Sequence, residues 1–214
     1  MRTRSAFSPV AISVVLWTIC LIPFAAHASA APGAGPTDTL KTKNGEVDKL
    51  LRLKVQPESA AEKKQKADIA TLAGQLFDYP ELIKRAMGDH WAQITPAQQA
   101  DLVGTMRALI ERRYVKQLKG NLDYSVVYKD EKLTGQDAVV QSMVKVKTKG
   151  KSTDAEIVYK LRQVDDRWVV WDVVTDESSL MRTYKGDFHR IITQSGFPEL
   201  LRKMKAKLAE KDKD

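Results

Sequence analysis

The sequence predicts an α+β fold. Apolar residues recur at helical spacing between residues 47 and 118, and four runs rich in β-branched and aromatic residues follow between 122 and 174. Helical spacing then returns from residue 180 to the end. Strands that follow one another without intervening helices favour an antiparallel meander, packed on one side by the helices before and after it.

At the start of the chain, Arg2 and Arg4 precede an apolar run over residues 10–26, closed by Ala26-His27-Ala28-Ser29-Ala30. A positive start, an apolar middle and a small-residue exit mark residues 1–30 as a secretory signal peptide, with cleavage expected after Ala28 or Ala30. An uncleaved anchor is the alternative; Pro23 and the small-residue exit argue against it. The one cysteine, Cys20, lies inside this leader, so a cleaved chain has neither thiol nor disulfide. Loss of Arg2 and Arg4 lowers the formal charge from +8 to +6. No later apolar stretch is long enough to span a membrane, so an exported, soluble protein is expected. Residues 31–45, opening on a Pro/Gly/Ala-rich stretch, are expected to be a flexible linker, and residues 46–210 a single domain.

The helical signals come in order. Val47, Leu50, Leu51 and Leu53 suggest a short amphipathic segment. Ser59-Ala60-Ala61-Glu62 is a capping box, continued by Ile69, Leu72, Ala73, Leu76 and Phe77. Asp78 and Glu81 mark a second start around Tyr79-Pro80, with Gly88 as its stop. Thr95-Pro96-Ala97-Gln98 is another capping box, with proline at the first helical position. Leu102, Val103, Met106, Leu109, Ile110, Tyr114 and Leu118 then form a long stripe that ends near Gly120.

Strands are expected at 122–128, 138–147, 155–164 and 168–174. The last two flank Asp165-Asp166-Arg167 and read as a hairpin. Alternation groups Ile157, Tyr159 and Leu161 on one face, and Val169, Trp171 and Val173 on one face of the next strand; the register between them is open. Ser178 or Ser179 caps a helix marked by Leu180, Met181, Tyr184, Phe188, Ile191 and Ile192. A final helix begins near Phe197-Pro198-Glu199, with Leu200, Leu201, Met204 and Leu208 on its face.

Catalytic signatures are missing from the sequence: it has no Gly-rich phosphate loop, no G-x-S-x-G elbow and no Cys/His metal spacing. His90 reads as a helix-terminal residue more readily than as a base or ligand. His189 and Asp187 are two apart on a helix and do not face each other. Asp172 reads as an outward strand carboxylate paired with a lysine, with a catalytic acid as the alternative. No catalytic residue, metal ligand or cofactor is expected. Tyr124, Val126 and Tyr128, then Val140, Val144 and Val146, then Tyr159 and Leu161, then Trp171 and Val173 make apolar strand faces. Ordinary cores and lipid pockets use the same residue types, so pattern alone leaves both readings open. Lys145, Lys147, Lys149 and Lys151 alternate into a turn at Gly150; they protect a strand edge or form a docking strip for anionic headgroups or acidic partners. Nucleic acid is not an expected partner, since no aromatic–basic recognition motif is present.

Several of these residues fall into a familiar order. Trp171-Asp172-Val173-Val174, Ser179-Leu180, Tyr184-Lys185, Phe188 and Gly196 follow one another as in the MlaC/toluene-tolerance family, and so, upstream, do residues 82–91 (LIKRAMGDHW) and Thr95-Pro96. The resemblance spans roughly residues 60 to 205. The chain departs from it at Glu177, where many relatives have glycine, and at Lys185, where many have arginine. The resemblance implies a curved four-stranded antiparallel sheet and N- and C-terminal helices around an apolar cavity. It implies a periplasmic phospholipid carrier whose partners are an inner-membrane ABC lipid-transport complex and an outer-membrane lipoprotein complex. A hopanoid carrier and a non-enzymatic interaction module are the alternatives, and an enzyme using Asp172 or His90 is the remaining one. On the carrier reading the chain is a monomer with bound phospholipid as cargo and no cofactor. The cavity is then lined by Tyr114, Leu118, Val126, Val144, Val146, Tyr159, Leu161, Trp171, Val173, Leu180 and Tyr184, while Lys145, Lys147 and Lys149 contact partners or headgroups.

Overall fold

The computed structural model of the chain describes residues 34–119, 124–148 and 151–210. The elements are α1 (Pro36–Leu51), α2 (Ala60–Leu76), α3 (Tyr79–Met87), a 3₁₀ turn (Gly88–Gln93), α4 (Pro96–Lys119), β1 (Tyr124–Thr134), β2 (Asp137–Thr148), β3 (Lys151–Val164), β4 (Arg167–Thr175), β5 (Ser178–Ser179) and α5 (Leu180–Ala209). The strands form one antiparallel sheet in sequential order. The fold is α+β, as expected. The sheet has five strands rather than four, because Ser178–Ser179 pairs with Val174 and Thr175 before α5 begins.

The caps form where the sequence marks them. Ser59 Oγ accepts from the Glu62 amide (3.1 Å), Asp78 Oδ1 from the Glu81 amide (3.0 Å) and Ser179 Oγ from the Arg182 amide (3.1 Å). At α4 the box is reciprocal: Thr95 Oγ1 accepts from the Gln98 amide, and Gln98 Oε1 from the Thr95 amide. Each such cap stabilises its helix by about 1 kcal/mol. The helix after β5 is interrupted at Gly196 (φ 80°), just before Pro198, which matches the fresh start expected at Phe197.

One expectation fails at the N-terminal side. The stretch expected as linker is helical from Pro36, so α1 is twice as long as its apolar signal. Its first half carries Thr37, Thr39, Thr42 and Asn44, poor helix formers, and gains its helicity from contacts outside itself. Leu40 is fully buried against Leu76, Ala138, Val140, Leu161 and Val170. Burying a leucine is worth about 1.5–3 kcal/mol, enough to hold a half-helix of weak propensity.

A bulge decides which β4 residues face the helices. Tyr159 lies opposite Val173 and Leu161 opposite Val170, with the register shifting between Lys160 and Leu161. Two residues on β4, Trp171 and Asp172, thus stand between Val170 and Val173 where β3 has Lys160 alone. Val173 shares the inner face with Tyr159, but Val169 lies opposite Arg162 on the outer face. The expected grouping of Val169, Trp171 and Val173 on one face is therefore wrong.

The described buried residues form three clusters. The largest joins α3, α4 and α5 through Leu82, Ile83, Met87, Leu102, Met106, Phe188 and Leu200. The second packs Leu40 and Leu76 onto Ala138, Val140, Leu161 and Val170 of the sheet. The third joins α1, α2 and α4 through Val47, Leu51, Ile69 and Val115. Asp78 ties helices to sheet: its amide donates to Val170 O (2.7 Å), and its carboxylate accepts from Arg162 (2.6 Å).

Candidate functional site

The sheet's inner face changes character along β2. Ala138, Val140 and Ser142 are buried, whereas Val144 and Val146, further along the same face, are only half-buried. Their cross-strand neighbours are Val126 and Tyr124 on β1 and Ala155 and Thr153 on β3. None of the three described clusters includes Val126, Val144 or Val146. This end of the sheet thus presents apolar side chains that the described helices leave partly uncovered.

Phenols border these valines. Tyr128 faces Ser142, Tyr159 faces Val140, and Tyr114 reaches in from α4. Burial raises the pKa of Tyr114, Tyr124, Tyr128 and Tyr159, that of Tyr159 up to about 12; repulsion from neighbouring phenols adds to it at Tyr114 and Tyr159, and the Asp48 carboxylate adds to it at Tyr124. α1 contributes the polar side chains that meet them. Asn44 Nδ2 donates to Tyr128 Oη at 2.6 Å and lies close enough to Tyr159 to offset part of its upward shift. The Asp48 carboxyl is held below its usual value chiefly by its hydrogen bond to Arg52 (2.7 Å), with a further contribution from Tyr124. Asn44 and Asp48 escaped the sequence reading. Residue 44 lay in the expected linker, and a lone polar residue on a helix carries no signal of what it touches.

The expected lining residues divide. Val126, Val144, Val146 and Tyr159 share the partly open inner face, and Tyr114 stands beside it. Val173 is on the same face but packs against the second cluster, and Leu161 is a fully buried member of that cluster. Leu180 and Tyr184 pack on the α3–α4–α5 cluster, Tyr184 stacked on Phe188 with ring centroids 5.8 Å apart. Trp171, at the bulge, has the Arg85 guanidinium 4.0 Å and the Lys160 ammonium 5.3 Å from its ring centroid. The Leu118 side chain lies outside the described part of the chain.

Of the lysines, Lys149 lies outside the described residues, as does the side chain of Lys147. Lys145 is exposed on the outer face, 4.0 Å from Asp154. Edge protection does not apply to Lys145, because β2 is flanked by β1 and β3 and the open edge belongs to β1. Asp172 is paired with a lysine as expected, but it is fully buried rather than outward-facing. It accepts from Lys160 Nζ (3.0 Å), Ser179 Oγ (2.8 Å) and the Met181 amide (3.0 Å), fastening β4 to the start of α5. His90 Nε2 and His189 Nδ1 stand 3.2 Å apart, a hydrogen bond between the 3₁₀ turn and α5 that neither sequence neighbourhood announces.

Among the described residues, no group of three or more His, Cys, Asp or Glu side chains is placed to hold a metal ion, and no helix is long and apolar enough to cross a membrane. A surface cleft of about 500 Å³ lies over α3 and the 3₁₀ turn, lined by Lys84, Arg85, Gly88 and Trp91 among others. Another, of about 440 Å³, lies between α1 and α2, and neither is lined by the expected cavity residues.

Comparison with known proteins gives these features a context. A solved structure of a phospholipid-binding protein from Ralstonia solanacearum, in complex with a phospholipid, is similar in fold: TM-score 0.65 at 23% identity, covering 83% of this chain and 100% of that one. A chain named Rd1NTF2_05, at 13% identity and TM-score 0.31, covers 32% of this chain and 60% of its own, and carries no argument. No curated protein sequence matches the chain. The family described as MlaC protein matches residues 45–206, the span that holds all five strands and all of the helical part but the start of α1 and the last residues of α5, and the chain belongs to that family.

Proposed function

We propose that the chain is a periplasmic carrier that binds one phospholipid against the inner face of its sheet. The observation that carries this is the half-buried row Val126, Val144 and Val146, bordered by tyrosines and left out of the described cores. Apolar side chains cost free energy when exposed, and a row of them beside a helical layer suits an acyl chain. The phospholipid bound by the Ralstonia solanacearum protein, which shares the fold, supports the same cargo here. Two acyl chains carry about 30 methylenes at about 0.8 kcal/mol each, so the carrier must replace most of about 24 kcal/mol that the bilayer supplies. That demand favours enclosing the tails between sheet and helices and leaving the headgroup near the rim.

On this reading the leader directs export, the protein works as a monomer, and it passes lipid between an inner-membrane ABC complex and an outer-membrane lipoprotein complex. Lys145, Lys147 and Lys149 then serve encounter with acidic partners or headgroups. No step requires a cofactor or a metal. The test is reloading: protein stripped of lipid is incubated with vesicles of phosphatidylethanolamine and phosphatidylglycerol, re-isolated and extracted with organic solvent. Recovery of about one phospholipid per chain is expected. A protein that returns empty is an interaction module, and one that loads only hopanoids is a carrier of another cargo.

A further inference from the structure

The geometry points to a docking site for an acidic segment of a partner protein in the cleft over α3 and the 3₁₀ turn. The inference does not depend on the cargo. The cleft, of about 500 Å³, combines an aromatic wall with basic side chains. Trp91 is half-buried and packs on the α3–α4–α5 cluster. Lys84 and Arg85, in the last turn of α3, stand exposed in the same lining. Gly88, at φ 52°, lines the cleft without a side chain. A β-carbon there would come 3.7 Å from Lys185 Cε, so α5 brings a third cation to the same place.

The cations are not equally engaged. Arg85 Nε donates to Glu81 (2.7 Å), and its guanidinium lies over the Trp171 ring. Glu81 is also 3.5 Å from Arg162. Lys84 and Lys185 pair with no carboxylate among the described residues. Asp89 is the other acid in the lining, and the two lysines outnumber it. The walls are fixed before any partner arrives. Gln99 Nε2 donates to Trp91 O (3.1 Å), and His90 Nε2 and His189 Nδ1, 3.2 Å apart, join the turn to α5. A preformed cleft binds without first ordering a loop, which lowers the cost of association. Its concave shape selects the partner. A membrane offers a flat layer of phosphates, which a recess with cations on its walls meets poorly. A carboxylate on a projecting chain reaches Lys84 and Lys185 while an apolar neighbour packs on Trp91. Tryptophan and arginine are also the residue types that anchor protein–protein contacts.

The test is a titration of isotope-labelled protein, followed by amide NMR, with the peptide Gly-Ser-Glu-Leu-Glu-Ser-Gly and with its counterpart carrying Gln for Glu. The acidic peptide should shift the amides of residues 84–92 and of Lys185, and the Gln peptide should not. Lys84→Glu together with Lys185→Glu should weaken binding about tenfold at low salt, a gap that shrinks to about twofold at about 0.5 M salt. Both lysines are exposed, so the urea midpoint of the double variant should match that of the parent. Equal affinity of parent and double variant, shifts gathered away from the cleft, or no shift at all overturn the proposal. So do vesicles of phosphatidylcholine and phosphatidylglycerol that shift these amides when the acidic peptide does not, since the occupant is then a membrane surface. Each of these results leaves the carrier reading intact.

Discussion

A tryptophan placed at Val144 and, separately, at Val173 distinguishes a hollow from a solid core. Both residues are half-buried on the inner face, but their surroundings differ. Val173 packs on the cluster of Leu40, Val140, Leu161 and Val170. Forcing an indole in there should cost about 1–3 kcal/mol. For a domain of this size each kcal/mol lowers Tm by about 2–4 °C. Val144 faces Val126 and Ala155 and belongs to none of the described clusters. On the carrier reading an indole at that position enters space that an acyl chain would fill, so lipid-free stability should change by less than about 0.5 kcal/mol. Urea titrations of stripped protein give the stabilities, and phosphorus content of reloaded protein gives the cargo. The expected pattern is a stable Val144→Trp with little lipid beside a destabilised Val173→Trp. A Val144→Trp protein that loses more than about 1 kcal/mol and keeps its full lipid load would show that Val144 is core.

Other consequences can be tested alongside. Asp172→Ala strands the Ser179 hydroxyl, the Met181 amide and Lys160, the last partly solvated; a loss of about 3 kcal/mol is expected in urea, and about half that for Asp172→Asn. Glu177 sits at φ 63°, a left-handed position that suits glycine, so Glu177→Gly should stabilise by up to about 1 kcal/mol, and a loss would show the side chain makes a compensating contact. The buried Tyr159 phenol ionises near pH 12, above its unfolded value near 10. Its contribution to stability is complete below pH 10 and lost as pH rises to 12, and Tyr159→Phe should flatten the stability–pH curve over that window. Exchanging Lys145, Lys147 and Lys149 for Glu should slow partner encounter at low salt and leave lipid load unchanged. Equal rates at 20 mM and 500 mM salt for parent and variant would remove these lysines from docking.

How much of this was legible in the sequence depended on whether the signal was local. Ser59, Asp78, Thr95 and Ser179 announce helix starts because a cap is a contact within four residues. The Asp165–Asp166 turn could be read as a hairpin for the same reason, and both residues adopt positive φ. What needed the fold was long-range. The bulge that admits Trp171 leaves alternation intact on either side yet shifts its phase, so Val169 and Val173 part company. Asp172 reads as a surface carboxylate until Ser179 and Met181 are seen to close over it. The first half of α1 has the composition of a linker, and it is long-range contacts, Leu40 in a distant sheet cluster and Asn44 on Tyr128 among them, that hold it as a helix. Leu161, Leu180 and Tyr184 have the residue types of a pocket wall but are spent on packing.

The most direct test of the central claim is the native mass spectrum of the mature protein purified without detergent. The carrier account predicts a dominant species heavier than the chain by the mass of one phospholipid, with the lipid released on activation and identified by fragmentation. A spectrum showing only the bare chain, from protein that is folded and has never met detergent, would contradict it.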